Sequence, residues 1–418
     1  MSETIKFNNL SKTYTTNIGF EIRNENELYD NEKELLEKSN LHRYAPIETW
    51  TALGTNSQLA YSTHGIFRYF GKFPPVIATY LISQYTTEKD LIIDPMSGSG
   101  TTAVECDILK RECIVNDLNP MSYLLAKVKT TQIGKDILLN KLNELKENYK
   151  PLTTEEYNFI PLALRDPDHW FLTETSNSLR GIKYLIEQEH DEDLRNFLNI
   201  VFASIVRKVS KATTQQGRLF LDVETAEPDA WNTFEKKYLK SAEAVASLPV
   251  RNKISYFNED LKNLNKLNPK EKAALVILHP PYFNSYKYSS INMLETGWLG
   301  YERNKYNKAE IREAFKVGKP EKVTEYIADM KIALENALSL LKSNGVLALM
   351  IGDTILKGNY IPVTDMLLQA TDLSGYEIEK IAIRVPKYTE AMWVASQRRH
   401  TDTVGITLYD YIVVIRKN

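Results

Sequence analysis

Cysteine is scarce in this chain, with two residues, Cys106 and Cys113, among 418. Two thiols build no disulfide framework, and no zinc-type spacing accompanies them. They flank the end of one predicted helix and the start of the next strand, where small buried thiols are the plain reading. Long apolar runs are also missing. No uninterrupted apolar stretch reaches the ~20 residues that span a bilayer. The opening Met1-Ser2-Glu3-Thr4-Ile5-Lys6 lacks the apolar core of a secretory signal. A cytoplasmic protein with no membrane contact is expected. Neither sign of charge is in excess: 54 acids against 52 bases leave a net charge of −2. The chain as a whole is therefore no polyanion trap, although a nucleic-acid binder needs only a local positive face. Hydrophobic content of 43% and charged content of 25% are those of an ordinary globular chain. Its length accommodates one large or two ordinary domains. Repeats and low-complexity tracts are absent.

Two stretches carry chemistry. The first is the apolar run Ala273–Leu278 followed by His279-Pro280-Pro281-Tyr282. It reads as a buried strand delivering a polar residue, two rigid prolines and an aromatic ring to the carboxyl edge of a sheet, where open α/β sheets place ligands. The prolines fix φ and carry no N–H, so nearby carbonyls are held in place and can accept. The ring can stack on a flat substrate. The second stretch is Leu91-Ile92-Ile93-Asp94-Pro95-Met96-Ser97-Gly98-Ser99-Gly100-Thr101-Thr102. A short strand meets a glycine loop and then a helix start, and glycine lets the backbone turn sharply against a ligand. No Gly-Lys-Ser/Thr follows, which excludes a Walker A loop, and the third glycine of the dinucleotide fingerprint is missing. Asp117 ends the next predicted strand, Glu112–Asp117. It lies about 20 residues past the loop, the spacing of an acid that accepts from ribose hydroxyls.

His279–Tyr282 resembles motif IV, the (D/N/S)PPY motif, of DNA methyltransferases that modify the exocyclic amine of adenine or cytosine. His279 stands where that motif has Asp, Asn or Ser. The Asp-Pro-x-x-Gly-Ser-Gly-Thr-Thr loop resembles motif I of the same enzymes. The stretch His64–Pro75, with its aromatic-Lys72-Phe73-Pro74 signature, resembles their motif X, and the segment ending at Asp260 resembles motif III. The resemblance implies an α/β, class I Rossmann-like methyltransferase with a mostly parallel seven-stranded sheet and a largely helical insertion. It implies S-adenosyl-L-methionine as cofactor, with Lys72, Phe73, Asp94, Pro95, Ser97, Gly98, Gly100, Thr101, Asp117 and Asp260 around it. His279, Pro280, Pro281 and Tyr282 become the catalytic set, and no metal is implied. For Phe73, plain core packing is an alternative. Neutral imidazole offers one acceptor nitrogen, whereas imidazolium offers none. His279 therefore has to act neutral, and an ordinary histidine titrates near pH ~6.5.

The expected organisation is a polar extension over residues 1–60, a catalytic core over 61–129 and 251–418, and a helical insertion over 130–250. The extension carries a helical patch at Asn24–Ser39. An insertion of about 120 residues far exceeds an ordinary βα connection, which makes it the candidate target-recognition region. Within it, Arg207, Lys208, Lys211 and Arg218 sit in a stretch with no acid and are the candidate DNA contacts. Arg384 to His400 is a second basic candidate, and a solvated loop is the alternative for both. The expected partners are double-stranded DNA and a cognate restriction or defence protein. The expected activity is site-specific methyl transfer to adenine N6 or cytosine N4 of a flipped base. Two rivals stay open: an RNA guanine-N2 methyltransferase, and a non-catalytic DNA-binding subunit of a defence complex.

Overall fold

Alternation and apolar runs in the sequence resolve into one sheet. The computed structural model of the chain describes residues 3–7, 18–162, 164, 166–213, 219–221, 228–249, 253–263, 269, 271–283, 288–311, 321–356, 359–385 and 406–418. Its strands are β1 (Glu3–Lys6), β2 (Gly19–Asn24), β3 (Ile47–Leu53), β4 (Leu91–Asp94), β5 (Glu112–Asn116) and β6 (Ile254–Phe257). They continue with β7 (Ala273–Leu278), β8 (Leu341–Leu356), β9 (Asn359–Ile361), β10 (Tyr376–Arg384) and β11 (Ile406–Lys417). The sheet order is β1-β2-β3-β10-β11-β8-β7-β4-β5-β6, with β9 on the side of β8.

The middle of this sheet has the class I methyltransferase order. Strands β6, β5, β4, β7 and β8 run parallel. The long β11 is inserted antiparallel between β8 and β10. Strands β4 and β7 are buried along their whole length, as expected where helices cover both faces. Pro75 opens the helix Pro75–Tyr85 at its first position, where the missing N–H has no intrahelical partner to lose.

The sheet is wider than the seven strands expected. β3 adds parallel to β10, and β2 and β1 follow antiparallel. Among the described residues of the expected extension, β1, β2 and β3 thus form an edge of the sheet, and the helical patch expected at Asn24–Ser39 is present as Asp30–Ser39. Gly19-Phe-Glu-Ile-Arg-Asn24 alternates inward Phe20 and Ile22 with charged neighbours, a period that a strand buries on one face. Phe20 stacks on Tyr80 at 4.7 Å, and Trp50 meets both rings edge-on at 5.3 and 5.0 Å.

The regular structure of the insertion is helical among its described residues, apart from an isolated bridge between Ala212 and Leu221. Its longer helices are Lys135–Asn148, Thr173–Glu187, Glu192–Val206 and Ala230–Ala246. Its core does not stop at residue 250. Leu162 N donates to Gly297 O at 3.1 Å, and Trp298 packs against Phe159, Phe171 and Phe202. The segment after Tyr282 therefore joins the helical body through Met293–Leu299. Trp298 is fully buried only because the insertion covers it.

Candidate active site

Three strand ends meet at one pocket. Asn116, the last residue of β5, ties them together. Its Nδ2 donates to Pro95 O at 3.0 Å and Glu259 O at 2.9 Å, and its Oδ1 accepts from Glu259 N at 2.9 Å. This fixes the loops after β4, β5 and β6 relative to one another. Asn116 was not among the candidate residues, although a buried amide beside Asp117 is the signal that marks it.

The glycine loop takes its shape from two left-handed residues, Gly98 at φ +48° and Gly100 at φ +74°. A Cβ on Gly100 would lie 2.9 Å from the Ala126 Cα, so the backbone of helix Pro120–Lys129 excludes any side chain there. Both carboxylate oxygens of Asp117 accept backbone N–H groups, from Gly98 at 2.7 Å and Asn119 at 2.8 Å. Burial pushes its pKa up to about 6, against the pull of those two donors. Asp94 is more deeply buried, and its pKa rises to about 7, with the charge of Asp117 adding to the effect of burial. Beneath the loop, the fully buried Lys129 donates from Nζ to Ser99 O at 2.8 Å. Burial holds its pKa well below the usual lysine range. Nothing in the sequence pattern distinguished Lys129 from a surface lysine.

Pro95, Ser97, Gly98, Asp117 and Asp260 line the pocket, and Lys72 and Phe73 close another side. His279 and Pro281 form the wall supplied by the end of β7. Asp94, Gly100, Thr101, Pro280 and Tyr282 are not part of that lining, and Tyr282 is half-exposed beside His279. Asp94 accepts from Met96 N at 3.2 Å, and Thr101 pairs with Ser99 through their hydroxyls at 2.8 Å. These two residues shape the loop, and neither is part of the pocket lining. Phe73 is both core and wall: it is buried, and its ring meets that of His279 edge-on at 5.2 Å. Tyr69, Asn119 and Glu259 also line the pocket and were not anticipated.

His279 Nε2 lies 3.2 Å from the Tyr282 hydroxyl. Desolvation pushes the histidine pKa down to about 3, with the cation of Arg384 adding to it. The ring is therefore neutral across the whole physiological range. Tyr326 OH donates to Pro281 O at 2.8 Å, which fixes the turn. Among the described residues, no donor takes the Pro280 carbonyl.

The expected DNA contacts separate on the structure. Arg207 is 7% exposed, its Nε donates to Thr213 O at 2.8 Å, and its guanidinium lies over the Phe70 ring at 5.3 Å. It also faces the charge of Glu295, a buried acid whose pKa rises to about 7 through desolvation. This correction follows from position. Arg207 caps the helix Glu192–Val206 where that helix meets the core, so its charge points inward. Lys208 is exposed, and Lys211 donates to Asp168 O at 2.6 Å. Arg218 and residues 386–400 lie outside the described residues.

A family model described as D12 class N6 adenine-specific DNA methyltransferase matches residues 74–346 of this chain. The chain belongs to that family. A second model, described as DNA methylase, matches residues 1–127. Type II methyltransferase M.MvaI of Kocuria varians is 27% identical over 247 residues, covering 52% of this chain and 53% of the relative. M.MjaII of Methanocaldococcus jannaschii is 30% identical over 165 residues, covering 38% of this chain and 31% of the relative. M.BsoBI of Geobacillus stearothermophilus is 24% identical over 320 residues, covering 67% and 61%. The chain thus spans between 31% and 61% of the lengths of these relatives. Among solved structures, an rRNA methylase from Streptococcus thermophilus is similar at TM-score 0.29 and 10% identity, covering 83% of this chain and 98% of its own. A putative SAM-dependent methyltransferase from Streptococcus mutans is similar at TM-score 0.33 and 10% identity, covering 88% and 53%. Likenesses of that size add nothing to the strand order. Among the described residues, no helix is long and apolar enough to cross a membrane, and no acid, His and Cys cluster has metal-site geometry.

Proposed function

We propose that this D12-family chain transfers a methyl group from S-adenosylmethionine to the exocyclic amine of a flipped base in DNA, adenine N6 or cytosine N4. The family description favours adenine. The observation that carries the reading is the single pocket walled on one side by the glycine loop and Asp117 and on the other by His279 and Pro281. Cofactor and target base need such a shared space.

The residues present fit the cofactor. Ser97 Oγ and Asn119 Nδ2 are buried and have no partner among the described residues, and both residues line the pocket. Asp117 keeps lone pairs for ribose hydroxyls beyond its two backbone donors. Asp260 lines the same pocket and offers a carboxylate suited to an adenine amino group. When bound, the cofactor supplies an activated sulfonium methyl.

The chain's own task is to make a poor nucleophile attack. A nucleobase amine has its lone pair delocalised into the ring. Two acceptors on its hydrogens favour the tetrahedral nitrogen and offset the charge that develops there. Neutral His279 is one, its Nε2 exchanging the Tyr282 hydroxyl for an amine hydrogen. The Pro280 carbonyl is the other. Tyr282 supplies the ring for stacking on a base drawn out of the duplex. Positioning supplies much of the remaining acceleration.

The test is transfer from cofactor labelled on its methyl group to DNA, RNA or neither, followed by nucleoside analysis. N6-methyl-2′-deoxyadenosine or N4-methyl-2′-deoxycytidine from DNA supports the reading. Label in RNA guanosine, or cofactor binding without transfer, overturns it.

A further inference from the structure

We propose that the face of the helix Ala230–Ala246 carrying Lys237 and Lys240, together with Lys208, forms the surface that takes the phosphates of duplex DNA beside the pocket. This rests on the DNA reading above; it keeps Lys208 from the expected contacts and adds Lys237 and Lys240, which the sequence did not single out.

The placement follows from three observations. First, Lys237 and Lys240 are one helical turn apart, and residues three apart share a face. Lys208 leaves the end of Glu192–Val206, the helix against which Ala230–Ala246 packs. Second, the cluster is uncompensated. Among the described residues, none of the three lysines forms an ion pair. Glu235 on the same helix is paired with Lys146 at 3.1 Å, and Glu243 makes no ion pair with Lys240. In a chain of net charge −2, three mutually repelling cations with no acid between them are held together against their own electrostatics. Polyanion binding relieves that repulsion. Third, the cluster adjoins the site. Lys237 Nζ donates to Gly65 O at 3.2 Å, and Gly65 opens the segment that reaches Tyr69, Lys72 and Phe73 on the pocket wall. The charge of Lys237 also acts on Lys129 under the glycine loop, as does that of Lys72. Cations thus stand both on this surface and, at Lys72, on the pocket wall.

Burial and the charges of Lys240 and Lys208 lower the pKa of Lys237 to about 8. A phosphate set against it would stabilise the charged form.

The experiment measures binding of the full chain to a duplex of about 30 base pairs and arbitrary sequence, over a salt series, because phosphate neutralisation sets the log–log slope at about 0.9 per contact. In Lys208→Gln/Lys237→Gln/Lys240→Gln, the slope is expected to become shallower by about 2–3. Affinity should fall for related and unrelated duplexes alike, with cofactor affinity unchanged. Lys237 also holds Gly65, so Lys208→Gln/Lys240→Gln serves as a second variant. Both of its positions are exposed, and a slope change of about 2 is expected. Arg207→Ala, which removes a buried guanidinium, should leave the slope unchanged. If wild type binds duplex and both lysine variants keep its slope, the surface is wrong while the DNA reading stands. Absence of salt-dependent duplex binding in wild type, or selective binding of an RNA duplex, overturns both.

Discussion

At the scale of single residues, two titrations separate the cofactor side of the pocket from the base side. Asp117 has its pKa raised to about 6 by burial. It is an ionised acceptor above that value and a neutral carboxyl below it. S-adenosylmethionine affinity should therefore fall as pH drops below about 6, and calorimetric titration across that range would show it. Asp117→Asn should lose this limb. At pH 8 it should also bind more weakly by about 1.5–3 kcal/mol, the worth of hydrogen bonds to a charged group. Identical pH dependence in the mutant would remove Asp117 from the ribose site. Because folding favours the neutral carboxyl, its contribution to stability is full in acid and is lost as pH rises through about 6. His279 has the opposite sense. Its pKa falls to about 3, so its contribution to stability is full above the unfolded value of ~6.5 and is lost as pH falls toward 3. Methyl transfer should show no histidine limb near pH ~6.5, which corrects the expectation for an ordinary exposed ring. His279→Asn should keep measurable transfer with the same acid limb as wild type. His279→Ala should lose on the order of 10²–10³-fold, as when one transition-state donor or acceptor is removed. Equal rates in wild type and His279→Ala would make the histidine a bystander.

At the scale of elements, the glycine loop is held by its neighbours as much as by its own sequence. Gly100→Ala is expected to cost about 1–2 kcal/mol for the left-handed backbone alone. The methyl group would also press on the Ala126 Cα, 2.9 Å away. A lower midpoint of urea unfolding and weaker cofactor binding should appear together; an unchanged midpoint would mean that the helix Pro120–Lys129 moves aside freely. The Asp-Pro-x-x-Gly-Ser-Gly-Thr-Thr run was legible because backbone geometry of this kind has few sequence solutions. The supports below and beside it were not. Glu105 is buried and accepts from Tyr61 OH at 2.6 Å and Thr79 Oγ1 at 2.6 Å, with His64 Nε2 at 2.8 Å. Those partners are far from it in sequence. A glutamate on a helix looks solvated until the chain brings three polar groups onto it. Arg207 illustrates the same limit from the other direction. Its basic neighbours suggested a phosphate contact, yet burial over Phe70 and against Glu295 depends on which way one helix ends. Residue type reported charge, and only packing could report direction.

At the scale of the whole molecule, the strands of the first 60 residues decide which strand ends the sheet, β1 with them and β10 without. Their polar composition hid this. Phe20 and Ile22 of β2 share a face with Trp50, which pairs with Ile22, while Ile47, three residues before Trp50, packs on the opposite face among charged and hydroxyl neighbours. The central order was easier to read, since β4 and β7 are buried on both faces and appear as continuous apolar runs. β10 pairs with β3 on one side and β11 on the other. Removing residues 1–60 would leave β10 as an unpaired edge, the arrangement that templates aggregation. It would also uncover Tyr80, which packs against Phe20 and Trp50 on the helix leading toward the glycine loop. A chain starting at residue 61 should therefore be poorly soluble and aggregate on warming, even though every motif residue of the pocket is retained. Replacing Trp50 by Ala in the full chain is the milder version, expected to cost about 3–5 kcal/mol as a buried aromatic truncation. Light scattering during a thermal ramp, alongside urea unfolding of Trp50→Ala, checks both. A truncated chain that stays monomeric with an unchanged melting midpoint would mean that the three N-terminal strands decorate a sheet already complete at β10.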